Sequence, residues 1–131
     1  MFRNEMFDYL SSLKDGWAGE GSYALDSPGL REYAEKIFDS LSYVSGIPPI
    51  VLPDRNGTFL MCYYIGGKLE VLVEVGTDGC TCGCKGNYWQ TNGQTALNKD
   101  FLGYFKTLKV SGKDLTFDEY KVIMEEINNV K

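Results

Sequence analysis

The dipeptide Gly66-Gly67 separates two β-prone runs, "TFLMCYYI" ending at Ile65 and "KLEVLVEV" beginning at Lys68. A tight antiparallel turn needs positive φ at its central residues, so a Gly-Gly pair between such runs predicts a two-residue hairpin. The turn sets a register, with Ile65 opposite Lys68, Tyr64 opposite Leu69, Cys62 opposite Val71 and Leu60 opposite Val73. Asp78-Gly79 offers a second tight turn, into "CTCGCKGNYWQ". It sets Val75 opposite Cys82 and Val73 opposite Cys84. Cross-strand partners share a face and alternate residues switch face. One face then carries Leu60, Cys62, Tyr64, Leu69, Val71, Val73, Val75, Cys80, Cys82 and Cys84, and is the expected core side. The other carries Phe59, Met61, Tyr63, Ile65, Leu72 and Trp89 beside Lys68, Glu70, Glu74 and Lys85.

Helical periodicity flanks this meander. Phe2, Met6, Tyr9, Leu10, Leu13 and Trp17 form a stripe that predicts a helix over 2–14. Ser27 followed by Pro28 is a helix start, with a side-chain cap and then proline at the first helical position. Leu30, Ala34, Ile37, Phe38 and Leu41 continue on one face until Gly46 and Pro48-Pro49. Asn98 to Leu108 has Phe101, Tyr104, Phe105 and Leu108 in phase. Thr116 and Glu119 make a capping box for a last helix whose stripe is Tyr120, Ile123, Met124, Ile127 and Val130. Helices, then a meander, then helices predict an α+β fold. An antiparallel β-meander of about four strands would pack with N-terminal and C-terminal helices. The chain of 131 residues has the length of one domain, so 1–131 is read as a single unit.

Composition narrows the chemistry. The chain has no histidine, which excludes His-based triads, His-containing zinc sites and imidazole acid–base catalysis. A net charge of −5 argues against direct nucleic-acid binding, which needs a basic face to displace counterions. The excess of 18 acidic over 13 basic residues is mild. An acidic nucleic-acid mimic would need its carboxylates aligned on one exposed face. No apolar run reaches the roughly 18 residues of a membrane span. The first ten residues, "MFRNEMFDYL", lack a signal-peptide core and carry Glu5 and Asp8. The expected compartment is the cytoplasm, with reduced cysteines.

Cys62, Cys80, Cys82 and Cys84 supply four thiols, in principle a Cys₄ metal site. The spacing departs from paired C-x₂-C knuckles, and same-face neighbours on a flat strand stand roughly 6.5–7 Å apart. The plainer reading is that small buried thiols leave room for helices on the sheet. A bulge at Gly83 would draw the sulfurs together. "DGWAGEG", Asp15 to Gly21, is not followed by Lys-Ser/Thr and so does not match a phosphate-binding loop. It reads as a glycine-rich helix exit with Trp17 wedged into the core. The carboxylates Asp114, Asp118, Glu119, Glu125 and Glu126 read as the solvated face of the last helix. No catalytic residues and no cofactor are expected. Phe59, Met61, Tyr63, Ile65 and Trp89 have the make-up of a protein-binding patch. Either the C-terminal helices cover this strip, or it is a partner site or a homodimer surface.

Residues 10–76 resemble a family of small bacterial and phage proteins. The resemblance rests on the L-x-x-L-x-D-G-W-x-G-x-G segment from Leu10 to Gly21, the helix in "SPGLREYAEKIFDSL", and the Pro-rich approach to the hairpin in "IPPIVLPDRNGTFLMCYYIGGKLEVLVEV". The family commonly has a polar or acidic residue followed by Trp where Met61-Cys62 stands here, and the Cys-rich strand is not one of its features. The resemblance implies no reaction, cofactor or catalytic residue. It implies an accessory role in a phage or mobile element, as an inhibitor of a host defence complex or a partner in a toxin–antitoxin pair. The expectation is thus a non-enzymatic protein-interaction module. The alternatives are a small metal- or ligand-binding module on Cys80, Cys82 and Cys84, or an acidic nucleic-acid mimic.

Overall fold

The computed structural model describes residues 2–111 and 116–129. Its sheet is a five-stranded antiparallel meander in the order β1-β2-β3-β4-β5. The strands are β1 (Ile50–Pro53), β2 (Phe59–Ile65), β3 (Lys68–Gly76), β4 (Gly79–Cys84) and β5 (Asn87–Asn92). The α+β class is as expected, and the meander has one strand more than the sequence reading.

The Gly66-Gly67 hairpin starts in the expected register, Ile65 opposite Lys68 and Tyr64 opposite Leu69. A bulge between Tyr63 and Tyr64 then shifts it, so that Tyr63 faces Val71, Met61 faces Val73 and Phe59 faces Val75. Glu70 is the extra residue. A one-residue slip turns every later side chain to the opposite face. The core side of β2 is therefore Phe59, Met61 and Tyr63, each fully buried, and not Leu60, Cys62 and Tyr64. The alternation of β3 is as expected, with Val71, Val73 and Val75 buried.

The second hairpin also differs. Gly76 pairs with Gly79, so the turn is Thr77-Asp78, and Val75, Val73 and Val71 face Cys80, Cys82 and Cys84. The shift is two residues, which preserves the face. Gly79 cannot be replaced here, because a Cβ on it would lie 1.9 Å from the Thr91 carbonyl oxygen. A third turn at Lys85-Gly86, both at positive φ (50° and 84°), creates β5. It divides a segment that reads as continuous. Trp89 consequently pairs with Cys82 and lies on the core face.

β1 is the other edge. Pro48 and Pro49 precede it and have no N–H to extend the ladder. Tyr64, next along β2, instead exchanges both backbone hydrogen bonds with Ser111, each 2.8 Å. The Tyr120 hydroxyl donates to the Val51 carbonyl.

The helices are α1 (Arg3–Ser11), α2 (Leu30–Ser45), α3 (Lys99–Phe105) and α4 (Phe117–Asn129). α1 is shorter than the predicted 2–14. α2 begins after Gly29, whose left-handed φ of 75° separates the Ser27-Pro28 turn from the helix. The Asn98 side chain accepts from the N–H groups of Asp100 and Phe101. The Thr116–Glu119 capping box closes reciprocally at 3.1 and 3.2 Å. Phe7 and Leu10 of α1, Ile37, Phe38 and Leu41 of α2, and Phe101 and Phe105 of α3 join the buried residues of β2–β4 in one core. Tyr120 and Met124 of α4 belong to the same cluster. The expected stripe positions Ile127 and Val130 lie outside the residues whose side chains are described.

The Asp15–Gly21 segment is tied down by its own polar groups. The Asp15 carboxylate accepts the Ala24 N–H at 2.8 Å, and Trp17 Nε1 donates to the Tyr23 carbonyl. Arg55, from the β1–β2 turn, donates to the Ala18 and Glu20 carbonyls at 3.0 and 2.7 Å. Trp17 is half-buried.

Candidate functional site: the open face of the sheet

The residues that alternate with the core side chains form a second sheet face. One row across it runs Ile50, Cys62, Leu72, Gly83 and Tyr88, each paired with the next. Cys62 is 0% exposed, Leu72 40% and Tyr88 77%, with Ile50 and Gly83 half-buried. The neighbouring row, Leu52, Leu60, Glu74, Thr81 and Gln90, passes from half-buried at Leu52 to exposed at Gln90. The face is closed over β2 and open over β3, β4 and β5. Leu69, beside the bulge, is also exposed.

Gly83 shapes the open part. A Cβ there would meet Tyr88 Cε1 at 3.1 Å, so the ring lies over the glycine instead of standing clear of the sheet. An aromatic covering a cross-strand glycine stiffens a weak position in the ladder. Tyr88 and Leu72 thereby flank Gly83 as a low apolar shelf. Beside it, the Glu74 carboxylate accepts from Thr58 Oγ1 at 3.0 Å. Among the described residues Glu74 makes no ion pair. A cleft of about 260 Å³ adjoins it, lined by Thr58, Glu74, the Gly76–Gly79 turn, Cys80, Gln90 and Thr91 among others.

The cysteines lie elsewhere. Cys80, Cys82 and Cys84 line up along the core face of β4, buried and unbridged, and Cys62 lies on the other face. Among the described residues no three Cys, Asp or Glu side chains gather around a point that could hold a metal ion. An extended strand spreads same-face thiols in a line, and the bulge falls in β2–β3 instead of at Gly83. Burial pushes the Cys62 thiol up to about 12, so it stays protonated at neutral pH. Cys84 is likewise raised by burial, partly opposed by a hydrogen bond with Tyr104.

The expected interaction strip does not form on the surface. Phe59, Met61 and Tyr63 are core residues. Tyr63 packs on Phe105 with ring centroids 5.3 Å apart, and its hydroxyl donates to the Ile47 carbonyl at 2.6 Å. Trp89 is half-buried against Phe101 and Tyr104, and Ile65 is half-buried at the hairpin end. The helices cover this face because the bulge turned it inward. Leu72 and Glu74 do lie on the face opposite the core, as read. Tyr88 was missed. The available signal was Lys85-Gly86 as a turn, which places an aromatic opposite Gly83.

The carboxylates of α1 and α2 do not form a single-sign strip. Arg3 pairs with Asp39 at 2.8 Å and Glu35 at 3.6 Å, and Arg31 pairs with Asp8 at 2.7 Å. Among the described residues no helix is long and apolar enough to cross a membrane. No protein-family model, curated protein or solved structure matches the chain.

Proposed function

We propose that the protein is a non-enzymatic interaction module that docks a partner protein on the open part of its sheet. The observation that carries this reading is the shelf formed by Leu72, Gly83 and Tyr88, with large apolar side chains exposed on a rigid antiparallel scaffold. Aromatic and aliphatic anchors on a rigid surface are the usual energetic centre of a protein interface. Glu74, half-buried and without an ion-pair partner among the described residues, specifies the partner's chemistry. The fitting surface presents an apolar side chain to Tyr88 and Leu72 and a Lys or Arg to Glu74. The finer reading, an accessory protein of a phage or mobile element that neutralises a host defence or toxin component in the cytoplasm, draws its support from the resemblance over residues 10–76.

Native mass spectrometry of tagged protein recovered from its host's lysate tests this, comparing the natural chain with the Leu72→Asp/Tyr88→Asp double variant. A stoichiometric partner that is lost in the folded variant supports the reading. A partner retained by the variant overturns the site, and a chain recovered without any protein partner overturns the function.

A further inference from the structure

The two edges of the sheet are finished differently. At β1, Pro48 and Pro49 lead in, Pro53 ends the strand, and the Tyr120 hydroxyl bonds the Val51 carbonyl. Proline, charge, bulges and covering elements are the usual means of keeping an edge from pairing with another chain. Among the described residues β5 has none of them. Its sequence, NYWQTN, holds no proline and no charged side chain, in a chain of net charge −5. Its register against β4 runs from Asn87 to Asn92 without a bulge.

That register fixes which backbone groups face away from β4. Lys85-Gly86 is a two-residue turn at positive φ, so the flanking pair, Cys84 and Asn87, is a hydrogen-bonded one. Hydrogen-bonded and non-hydrogen-bonded pairs then alternate along the ladder. Asn87, Trp89 and Thr91 aim their N–H and C=O groups at β4, and Tyr88, Gln90 and Asn92 aim theirs outward. Among the described residues no group bonds the outward N–H or C=O of Tyr88 or Gln90. The Asn92 carbonyl accepts only a long bond, 3.4 Å, from Thr95 Oγ1. The side chains of Tyr88, Gln90 and Asn92 are exposed.

We propose that β5 pairs with β5 of a second copy of this chain, antiparallel about a two-fold axis at Gln90. The pairing makes one continuous sheet, with five strands from each copy. A two-fold interface must be self-complementary, and this strand is. With the axis at Gln90, Gln90 faces Gln90, and Tyr88 faces Asn92 in both directions. Each facing pair exchanges two backbone hydrogen bonds, and every outward group from Tyr88 to Asn92 gains a partner. The facing side chains are neutral, so two acidic chains meet where neither carries charge. The antiparallel arrangement sets the Lys85 end of one copy towards the Asp78 end of the other, which adds opposite charges at the margin. Both open faces lie on the same side of the joined sheet, so the Leu72–Gly83–Tyr88 shelf is presented twice on one surface. The pairing itself does not depend on a partner for that shelf.

Sedimentation of the purified full chain over a concentration series tests this, and a reversible dimer is expected. Gln90→Lys and Gln90→Glu each set like charges opposite one another at the axis. At low ionic strength each is expected to weaken the dimer severalfold, and an equimolar mixture of the two, pairing Lys with Glu, is expected to restore it. Gln90→Pro removes an outward N–H that β4 does not use, and is expected to weaken the dimer at least about tenfold with near-ultraviolet circular dichroism unchanged. Should that variant not fold, the charge pair carries the test. Leu72→Asp, which disables the shelf, is expected to leave the dimer intact, so failure of the partner reading and failure of this one are distinguishable. A natural chain that stays monomeric throughout overturns the proposal. So does a dimer that neither charge variant weakens, or a mixture of the two that stays as weak as its components.

Discussion

Tyr88 lies across Gly83, its ring edge 3.1 Å from where a Cβ on the glycine would stand. The missing side chain on β4 is what lets the aromatic of β5 lie down on the sheet. Gly83→Ala therefore lifts the ring. Because Tyr88 is largely exposed, the ring has space to swing away, and the stability cost is expected to stay below about 1 kcal/mol. Affinity for the partner is expected to fall more than stability does. Urea midpoints alongside titration with the partner separate the two effects, and equal losses would contradict the shelf.

The bulge at Tyr63/Tyr64 makes neighbouring strand positions respond differently to the same substitution. Met61→Asp and Tyr63→Asp bury a carboxylate in the core, a cost of several kcal/mol that is a large part of a small domain's stability. Both are expected to give unfolded or insoluble protein. Leu72→Asp places its charge on the open face and is expected to shift the melting temperature by only a few degrees. A folded Met61→Asp protein would show that the register is wrong.

Tyr120 reaches from α4 to the Val51 carbonyl on the sheet edge. Tyr120→Phe keeps the ring against Phe2 and Phe117 and removes the donor. The buried carbonyl then lacks that bond, at an expected cost of about 1–3 kcal/mol. Hydrogen exchange is expected to accelerate at the β1 edge before it does so in β3 and β4. Uniform acceleration across the sheet would argue that α4 does not close that edge.

Cys62 gives stability a definite pH dependence. Its thiol is raised by burial from 9.0 to about 12. Between these values the unfolded chain ionises and the folded chain stays protonated, so the unfolded state binds fewer protons and stability falls as pH rises. The contribution is fully present below pH 9 and is lost on the way to about pH 12. Within that window the decline from this one thiol is at most about 1.4 kcal/mol for each rise of one in pH. Cys62→Ala is expected to flatten the decline above pH 9, as read by urea denaturation at a series of pH values. An unchanged slope would show that Cys62 ionises as readily in the folded chain as in the unfolded one.

Much of the architecture is written locally. The alternation of Val71, Val73 and Val75, the Gly66-Gly67 turn and the Thr116–Glu119 box each depend on residues within a turn or two. All stand where the sequence places them. β2 is different. Phe59 to Ile65 is apolar at every position, so both of its faces read as core, and local patterning cannot choose between them. The choice came from the bulge beside Glu70, which lets β3 keep its valines inward while β2 turns Phe59, Met61 and Tyr63 beneath the helices. The same holds for the edges. β1 forms against Met61 and its neighbours, Tyr120 closes on its Val51 carbonyl, and Ser111 takes its place beside Tyr64 of β2; Tyr120 and Ser111 come from distant parts of the chain. Turn chemistry, capping and strand alternation are short-range and were legible in this chain. Which sheet face is covered and which edge is closed depend on contacts between distant segments, and only tertiary packing decided them.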